Sequence, residues 1–415
     1  MDSCLTCTGC DPESRKKYFN NIKEKYQDTD LTTFEYDFET YSRPYSMILG
    51  LTDDCNLQCS YCFVKQNTNY MTFEIADQAI QWLKQNYIAT NREGKPSVTF
   101  FGGEPLLCFD SIIVPIVEKY KNEIDFSITT NGILLDEDKV DFFYKNNIEI
   151  LLSFDGIRSV QNTQRSSKNL DSYETVLKNI PYLLLRRPNT IMRMTLTKYA
   201  VPHLFETVLM AEELGFKSIS FCVDAFEDWE YEDLYNYEEQ LEKIGLHIYK
   251  SFFNNNNEVI KVDQLIKTYN KIEQSLQGNL KYNNSLFRCG LGTTSCAITP
   301  IGDIIPCQEK ISNPTWILGD VFNGIDANKH KEFLKWYIDN MNNNFTCDRL
   351  CRTNKEAVHC FNNTCPSRLE DLKFKPSTSE CIFNRTNLRI ANRLFMLCYK
   401  NINPLMENYF QGGNN

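Results

Sequence analysis

The run Ser46-Met-Ile-Leu-Gly-Leu-Thr52, followed directly by Asp53-Asp-Cys-Asn-Leu-Gln-Cys-Ser-Tyr-Cys-Phe63, joins an apolar, strand-like segment to a loop with three cysteines. Cys55, Cys59 and Cys62 have the spacing C-x3-C-x2-C. They offer three thiolates to a four-iron cluster and leave its fourth iron without a protein ligand. A substrate that coordinates this open iron can receive an electron from it, whereas a fully ligated cluster only passes electrons on. The loop therefore predicts chemistry at a cluster.

A zinc loop is the alternative interpretation of these three cysteines. The loop has no nearby fourth Cys or His. Zinc loops also favour paired C-x2-C knuckles. The spacing therefore favours the iron-sulfur cluster.

Length and composition place the chain among globular, cytosolic proteins. Its 415 residues, 42% of them apolar and 13% aromatic, predict two or three domains with cores of their own. No stretch resembles a signal peptide, and no run approaches the ~20 apolar residues of a membrane span. The formal net charge of -10 supplies no basic surface for nucleic acid. We expect a soluble, cytoplasmic protein with neither nucleic acid nor membrane as partner.

Cysteine use points to metals rather than disulfides. The chain has 17 cysteines, and a reducing cytosol keeps thiols free for metal ligation. Several clusters and a low-oxygen host are therefore expected. Cys108, Cys222 and Cys398 have no partner at ligand spacing and are predicted to be buried as small apolar residues.

Strand-like runs alternate with segments that carry apolar residues at helical spacing. Six β-then-α units of this kind predict an α/β fold, a partial (β/α)6 barrel of the TIM type. The predicted strands are Ser46–Thr52, Ser97–Phe101, Asp125–Thr129, Glu149–Phe154, Thr190–Leu196 and Ser218–Val223. The predicted helices include Thr72–Ile88, Asp136–Asn146, Ser172–Leu185 and Pro202–Leu214.

Four motifs follow consecutive predicted strands. The cysteine loop follows the first strand, Gly102-Gly103-Glu104-Pro105 the second, and Thr130-Asn131-Gly132 the third, while Ser153-Phe-Asp155-Gly156 spans the end of the fourth. Each alone would be an ordinary turn. Together they predict a site at the carboxyl-terminal mouth of the barrel, where such folds build their active sites.

The chain divides by composition into four parts. Residues 1–44 form an N-terminal extension with Cys4, Cys7 and Cys10, which either bind a further metal or are incidental thiols. Residues 45–281 form the predicted barrel, residues 285–400 a small cysteine-rich domain, and residues 401–415 a tail. Acidic residues concentrate between Asp224 and Glu242, which predicts a solvated helix or a contact with a basic peptide.

The cysteine triad and the strand-end motifs between Tyr45 and Lys281 resemble those of radical S-adenosylmethionine (SAM) enzymes. The resemblance implies that Cys55, Cys59 and Cys62 hold the catalytic [4Fe-4S] cluster. It also implies a set of SAM contacts. Tyr61 lies against the adenine, the Gly102-Gly103-Glu104 motif receives the methionine ammonium, and Ser153 and Arg165 hold the ribose and the SAM carboxylate.

Arg165 has an alternative role as a surface residue, because its segment Gln161–Asn169 is predicted to be a loop. Asp155 is interpreted as a residue that caps the following turn. We do not count Asp155 among the site residues.

The run Cys289-x12-Gly302-x4-Cys307 resembles the opening of the SPASM-type extension of peptide-modifying radical SAM enzymes. The later gaps of three, eight and four residues are wider than those usual in that extension. The resemblance implies two auxiliary [4Fe-4S] clusters, for a total of three. Cys289, Cys296, Cys307 and Cys365 would hold the first, and Cys347, Cys351, Cys360 and Cys381 the second. Two zinc sites are the alternative for these eight cysteines.

Within this family, two activities compete. Anaerobic sulfatase-maturing enzymes, which make formylglycine, have an Asp after the cysteine of the Gly-x4-Cys element, whereas this chain has Gln308. An amide cannot act as a base near neutral pH. We therefore expect a maturase that cleaves SAM to a 5'-deoxyadenosyl radical and oxidatively forms a thioether or carbon-carbon crosslink in a ribosomally made peptide. A non-catalytic iron-sulfur electron carrier would explain the cysteines but not the strand-end motifs.

The resemblance also implies partners. These are a precursor peptide and an electron donor such as flavodoxin or ferredoxin. Only about 44 residues precede the first strand, too few for a fused winged-helix domain that binds leader peptides. A separate leader-binding protein, or direct recognition by the barrel and the N-terminal segment, is then expected.

Overall fold

The computed structural model describes residues 37–224, 227–253, 259–276, 290–312, 314, 316–344, 383, 386–394 and 410. Its strands are β1 Ser46–Gly50, β2 Gln58–Cys59, β3 Ser97–Phe101, β4 Asp125–Thr130, β5 Glu149–Ser153, β6 Arg165–Ser166, β7 Ile191–Leu196, β8 Ser218–Val223, β9 Lys261–Val262, β10 Ser295–Ile298, β11 Asp303–Ile305, β12 Gly319–Asp320 and β13 Gly324–Ile325.

The α-helices are α1 Phe38–Tyr41, α2 Phe73–Ile88, α3 Val114–Tyr120, α4 Glu137–Lys145, α5 Arg158–Gln164, α6 Ser172–Leu177, α7 Ile180–Arg186, α8 Leu204–Glu213, α9 Tyr231–Phe253, α10 Asp263–Leu276 and α11 Ala327–Asn344. Short 3-10 turns cover Pro105–Cys108, Val201–His203 and Gln308–Lys310, and a π-helical turn covers Phe109–Ile113. Among the described residues, no helix is long and apolar enough to cross a membrane.

One sheet organises these elements. Its six central strands follow the chain in the order β1-β3-β4-β5-β7-β8, and every neighbouring pair is parallel. Helices connect successive strands, as parallel pairing requires. This topology confirms the predicted partial parallel barrel. Its carboxyl-terminal edge is where the strand-end motifs meet.

Both edges of the six-stranded core are extended. Strand β9 adds a parallel strand beside β8, and β10 pairs in parallel with β1. Strands β11, β12 and β13 then continue the sheet in antiparallel fashion. The first part of the predicted cysteine-rich domain therefore shares a sheet with the barrel.

Helix boundaries follow local sequence signals. Thr72 and Asp136 cap α2 and α4 by accepting backbone N–H bonds from Ile75 and Lys139. The single helix predicted for Ser172–Leu185 is wrong, because the chain forms α6 and α7 with Pro181 in the first turn of the second. A proline is favourable at a helix start and disruptive in a helix interior.

The acidic run contacts the chain's own basic residues. On α9, Glu238 and Glu242 form ion pairs with Arg389, and Glu242 also pairs with Arg393. Tyr237 donates a hydrogen bond of 2.6 Å to Asn387. Residues 237–242 of the acidic run therefore hold the helical segment 386–394 against α9.

Candidate functional site

The cysteine loop lies between β1 and α2 at the carboxyl-terminal edge of the sheet. Within it, β2 pairs in antiparallel register with β6, so that Cys59 lies opposite Arg165. The Ser60 N–H donates to the Gln164 carbonyl at 2.9 Å. This small second sheet fixes the loop against the segment that follows β5.

The sulfur atoms of the loop differ in exposure and in hydrogen bonding. Cys55 and Cys59 are half-buried, whereas Cys62 is exposed. The Cys55 Sγ accepts from the Leu57 N–H at 3.4 Å and lies 3.7 Å from Asn131 Nδ2. Burial raises the pKa of the Cys55 thiol to about 12 and that of the Cys59 thiol to about 11. These thiols therefore need a cation before they can become thiolates.

The donor set fits an iron-sulfur cluster. Iron supplies the positive charge that the buried thiolates need, and N–H donors to sulfur are the usual surroundings of a cluster ligand. In the part of the chain that the structure describes, no group of three or more Cys, His, Asp or Glu side chains could hold a single metal ion. The zinc alternative for this loop therefore gains no support from the geometry.

The two glycines of the second motif bring backbone segments together. The Gly103 N–H donates to the Thr52 carbonyl at 2.7 Å, and the Glu104 N–H donates to the Asp54 carbonyl at 2.9 Å. A Cβ on Gly102 would lie 2.3 Å from the Thr52 oxygen, and one on Gly103 would lie 2.1 Å from the Asp54 oxygen. Any side chain here would push the end of β3 away from the cysteine loop.

Glu104 is fully buried and joins the ends of β3 and β4. Its Oε1 accepts from the Leu106 N–H at 3.0 Å and from the Thr130 hydroxyl at 2.7 Å, and its Oε2 accepts from the Asn131 N–H at 2.8 Å. Burial raises the pKa of Glu104 to about 7, although these hydrogen bonds oppose the shift. The carboxylate thus has protein partners, and its contact with the SAM ammonium remains a prediction.

Asp155, which sequence reasoning left out of the site, is its most connected side chain. It is fully buried. Its Oδ2 accepts from Tyr61 Oη at 2.6 Å and from Gln164 Nε2 at 2.8 Å. Its Oδ1 accepts from Arg165 Nη2 at 3.1 Å and from the Thr195 N–H at 2.9 Å. We call these five residues the Asp155 network.

Arg165 is part of this network and not of the surface. It is 7% exposed, so the alternative of a surface arginine is wrong. Its segment is also not a loop, because α5 ends at Gln164 and β6 begins at Arg165. The guanidinium carbon lies 5.5 Å from the centre of the Tyr61 ring. The carboxylate of Asp155 raises the pKa of Arg165 against the effect of burial, so the guanidinium stays charged.

Ser153 ends β5 and is half-buried, in register with Arg193 of β7. The structure therefore brings Tyr61, Arg165 and the cysteine loop together directly. Glu104 joins them through Asn131, whose side chain lies near Cys55. Asp155 could have been suspected from its place directly after the predicted strand Glu149–Phe154.

Of the predicted auxiliary ligands, two lie among the described residues. Cys296 is buried in the apolar core on β10, and burial raises its thiol pKa to about 12. Cys307 is half-buried and follows β11, with its Sγ 3.5 Å from Gln308 Oε1. The predicted ligands that lie outside the described residues are Cys289, Cys347, Cys351, Cys360, Cys365 and Cys381, and Cys4, Cys7 and Cys10 lie outside them too.

The three remaining cysteines were predicted to be buried. Cys108 is buried, as predicted, and lies 3.7 Å from the Leu51 carbonyl oxygen. Cys222 is only half-buried. Cys398 lies outside the described residues.

The segment after β11 contacts the end of the cysteine loop. The Lys65 N–H donates to Ser312 Oγ at 2.8 Å, and Val64 packs in an apolar cluster with Ile305 and Ile311. Gln308 therefore lies on a turn that is anchored beside the loop.

Comparison with known proteins finds one family model and several relatives that are similar to this chain. The Radical SAM superfamily model matches residues 49–209, which run from β1 into α8. A cysteine-type anaerobic sulfatase-maturating enzyme of Clostridium perfringens (strain 13 / Type A) is 25% identical over 317 residues, which cover 70% of this chain and 82% of that protein. The radical SAM cyclopropyl synthase TigE of Paramaledivibacter caminithermalis is 24% identical over 336 residues, which cover 75% of this chain and 67% of that protein.

The fold agrees with a solved structure. Native anSMEcpe with bound AdoMet and Cp18Cys peptide has a TM-score of 0.68 to this chain at 21% identity. The match covers 86% of this chain and 99% of that one. At this identity, the likeness supports the fold alone.

Gly102→Ala should lower the free energy of unfolding by about 2 to 4 kcal/mol. Two costs add up here: alanine is strained at the positive φ of Gly102, and its Cβ would clash with the Thr52 backbone. Gly215→Ala is the matched control, because Gly215 also has a positive φ but a Cβ there would meet its nearest atom at 3.7 Å. It should lose only about 1 kcal/mol. Equal losses in anaerobic urea unfolding would contradict the close approach at Gly102.

Asp155→Asn should destabilise the fold by about 3 to 5 kcal/mol, because it leaves the buried guanidinium of Arg165 without its anionic partner. The control is Glu149→Gln, which removes an exposed carboxylate from its pair with Arg187. That variant should lose less than about 1 kcal/mol. The comparison uses anaerobic urea unfolding of both variants. A similarly small decrease in the free energy of unfolding in both variants would show that the Asp155 network does not hold the cysteine loop.

Proposed function

We propose that the chain is a radical SAM enzyme that oxidatively modifies a residue of a ribosomally made peptide, since residues 49–209 match the Radical SAM superfamily model. The preferred products are a thioether or a carbon-carbon crosslink. The observation that carries the proposal is the pairing of Cys59 with Arg165 across β2 and β6. The pairing supports the proposal because three thiols and a buried cation lie together at the edge of the sheet that also carries the other strand-end motifs.

The radical SAM family implies SAM and a [4Fe-4S] cluster, which together supply a radical that abstracts hydrogen from the substrate. Cys55, Cys59 and Cys62 would hold the cluster. Tyr61 and Ser153 would contact the adenosine part of SAM, and Gly102, Gly103 and Glu104 its ammonium group.

Arg165 would orient the carboxylate of SAM with the guanidinium N–H groups that Asp155 leaves available. Its pairing with Asp155 fixes the direction of these donors before SAM binds. Such preorganisation reduces the ordering cost of binding.

Two auxiliary clusters complete the proposal, with ligands as the SPASM resemblance implies. With eight thiolates engaged, neither cluster would keep an open iron, so both would accept electrons rather than bind substrate. The half-buried position of Cys307 suits a ligand. The apolar surroundings of Cys296 suit packing equally well, so its role as a ligand rests on the resemblance alone.

A peptide substrate is supported by the names of related proteins. The Clostridium perfringens relative is a sulfatase-maturating enzyme, and the anSMEcpe structure contains a bound peptide. Gln308 favours crosslinking, because it supplies an amide where sulfatase maturases have a carboxylate. Its Oε1 lies beside the Cys307 thiol.

Formylglycine formation on a sulfatase is the second candidate. It is favoured by the extent of the likeness to the sulfatase-maturating enzyme, which covers 82% of that protein. Both candidates need an electron donor, for which we propose flavodoxin or ferredoxin. A separate leader-binding protein is proposed for the crosslinking activity only.

Replacing Cys55, Cys59 and Cys62 together with Ala should abolish formation of 5'-deoxyadenosine. Bound iron should fall from about twelve to about eight atoms, because the auxiliary clusters have their own ligands. Cys108→Ala is the control. This thiol is buried beside the Leu51 carbonyl, close to the start of the cysteine loop, and has no predicted ligand role. The variant should retain both iron and SAM cleavage. Normal cleavage by the triple variant would end the radical SAM assignment.

Gln308→Ala should reduce turnover by less than about tenfold, whereas loss of a general base costs roughly 100-fold or more. The products of anaerobic turnover with candidate precursor peptides and sulfatase-derived peptides are measured by mass spectrometry. A loss of two hydrogens without reaction toward an aldehyde-specific hydrazide indicates a crosslink. Formation of a hydrazide-reactive product on a sulfatase-derived Cys or Ser would instead identify the second candidate.

A further inference from the structure

On the inner face of the six central strands, Arg193 of β7 is the one half-buried charged side chain, since Asp125 and Glu149 on the same face are exposed at the starts of β4 and β5. Along β7, Met192, Met194 and Leu196 are fully buried in the core, while Ile191, Arg193 and Thr195 alternate with them and are half-buried. The fully buried face of the sheet contacts helices, since Leu152 of β5 and Val176 of α6 lie against the same glycine, Gly132. The alternate positions therefore face the interior of the barrel.

Apart from the exposed Asp125 and Glu149, the other inner-face positions of these strands hold Gly, Ser, Thr, Ile, Leu, Phe and Cys residues. Arg193 is thus the charged residue that lies away from the exposed strand starts. Its Nη1 donates a hydrogen bond of 2.6 Å to Ser220 Oγ. Among the described residues, no carboxylate lies within ion-pair distance of its guanidinium.

The nearest negative charge is separated from Arg193 by a hydroxyl. Ser220 Oγ lies 3.2 Å from Asp263 Oδ2. Asp263 forms an ion pair of 2.6 Å with Lys267. The charge of Asp263 is therefore already balanced, and Arg193 keeps most of its donors for a ligand. A half-buried guanidinium without a direct counter-charge favours an anionic partner.

The position of Arg193 relative to the Asp155 network defines where that partner would lie. The Thr195 N–H donates to Asp155 Oδ1. Thr195 is therefore the residue of β7 that lies at the same height along the barrel as the Asp155 network. Arg193 precedes it by two residues on the same face, which corresponds to about 6.6 Å along a strand. Its register partner on β5 is Ser153. Arg193 thus lies beside Ser153 and deeper in the barrel than the Asp155 network.

We propose that Arg193 determines substrate specificity by binding a carboxylate of the peptide substrate. The group would be an acidic side chain near the modified residue or the peptide's own terminal carboxylate. A bidentate contact with the guanidinium would fix the distance between this carboxylate and the hydrogen that is abstracted. The inference rests on the proposed function, since it needs a peptide that enters the barrel.

The test uses a randomised linear peptide library, displayed with free or amidated C-termini. The cluster-loaded protein selects from it under anaerobic conditions, with SAM present and without a reductant. The wild type should enrich Asp or Glu at one position, or free C-termini over amidated ones. The first result identifies a side chain as the source of the carboxylate, and the second identifies the terminus.

Arg193→Gln should bind the best selected peptide about tenfold more weakly or worse, the scale of a charge-assisted hydrogen bond. Replacing the peptide's carboxylate with an amide should weaken wild-type binding by a similar factor. In the variant the same replacement should have little further effect, because the two groups interact with each other. Arg193→Lys, which keeps the charge, should retain part of the acidic preference and guards against misfolding of the first variant.

Arg158→Gln is the matched control. It removes the same charge from a surface ion pair with Asp171 and Glu174, and its peptide preference should not change. The dissociation constant of SAM should stay within about twofold in Arg193→Gln, because the proposed SAM contacts are other residues.

Three results would overturn the inference in distinguishable ways. An equal acidic preference in the wild type and in Arg193→Gln would show that Arg193 does not read the carboxylate. A tenfold loss of SAM affinity with unchanged peptide preference would assign Arg193 to the carboxylate of SAM. If the wild type retains no peptide at all, the proposed peptide substrate itself is wrong.

Discussion

The buried carboxylate of Asp155 is the constraint on which the geometry of the site depends. It accepts donors from the cysteine loop through Tyr61, from the α5–β6 segment through Gln164 and Arg165, and from β7 through Thr195. A carboxylate removed from water is stable only with such a set of donors and a compensating cation. Three segments that are distant in sequence are thereby held at one point. The cysteine loop pairs only through the two-residue strand β2, so this point, β2 and the backbone bonds from Gly103 and Glu104 together fix where its thiols lie.

The parts of the structure that the sequence predicted well are those determined locally. The six strands could be recognised because buried parallel strands are short apolar runs, and their predicted bounds differ from the observed ones by at most two residues. That the three cysteines share one short loop follows from their spacing alone, and their role as cluster ligands stays a prediction. The Asp155 network could not be recognised in this way, because Tyr61 and Asp155 are 94 residues apart. An aspartate that follows a strand has the same local signature whether it caps a turn or joins three segments.

The difference between local and long-range determinants also explains why the segment after β5 was wrongly predicted to be a loop. Gln161–Asn169 is polar and resembles a loop, yet Gln161 accepts the Asp155 N–H at 2.8 Å and Gln164 donates to the Asp155 side chain. Both polar side chains are buried here because they hydrogen-bond to Asp155, which hydrophobic periodicity does not detect. The continuation of the sheet through β10 to β13 was missed for another reason. A cysteine-rich composition suggests a separate domain, but these strands pair with the barrel edge through backbone groups that composition does not encode.

Arg165 and Arg193 are both removed from bulk solvent, but their charges have different partners. Arg165 lies against an aspartate that neutralises it, so its charge is part of the protein's own structure and its free donors can only orient a ligand. Arg193 contacts a hydroxyl, which accepts a hydrogen bond without cancelling charge. In a chain whose formal net charge is -10, a half-buried arginine that pairs with no carboxylate of the described residues is unusual. Because burial strengthens electrostatic interactions, the guanidinium of Arg193 would favour anionic groups among the ligands that enter the barrel. Arg165 is therefore oriented by the protein itself, whereas the charge of Arg193 is the one that we propose for discrimination among ligands.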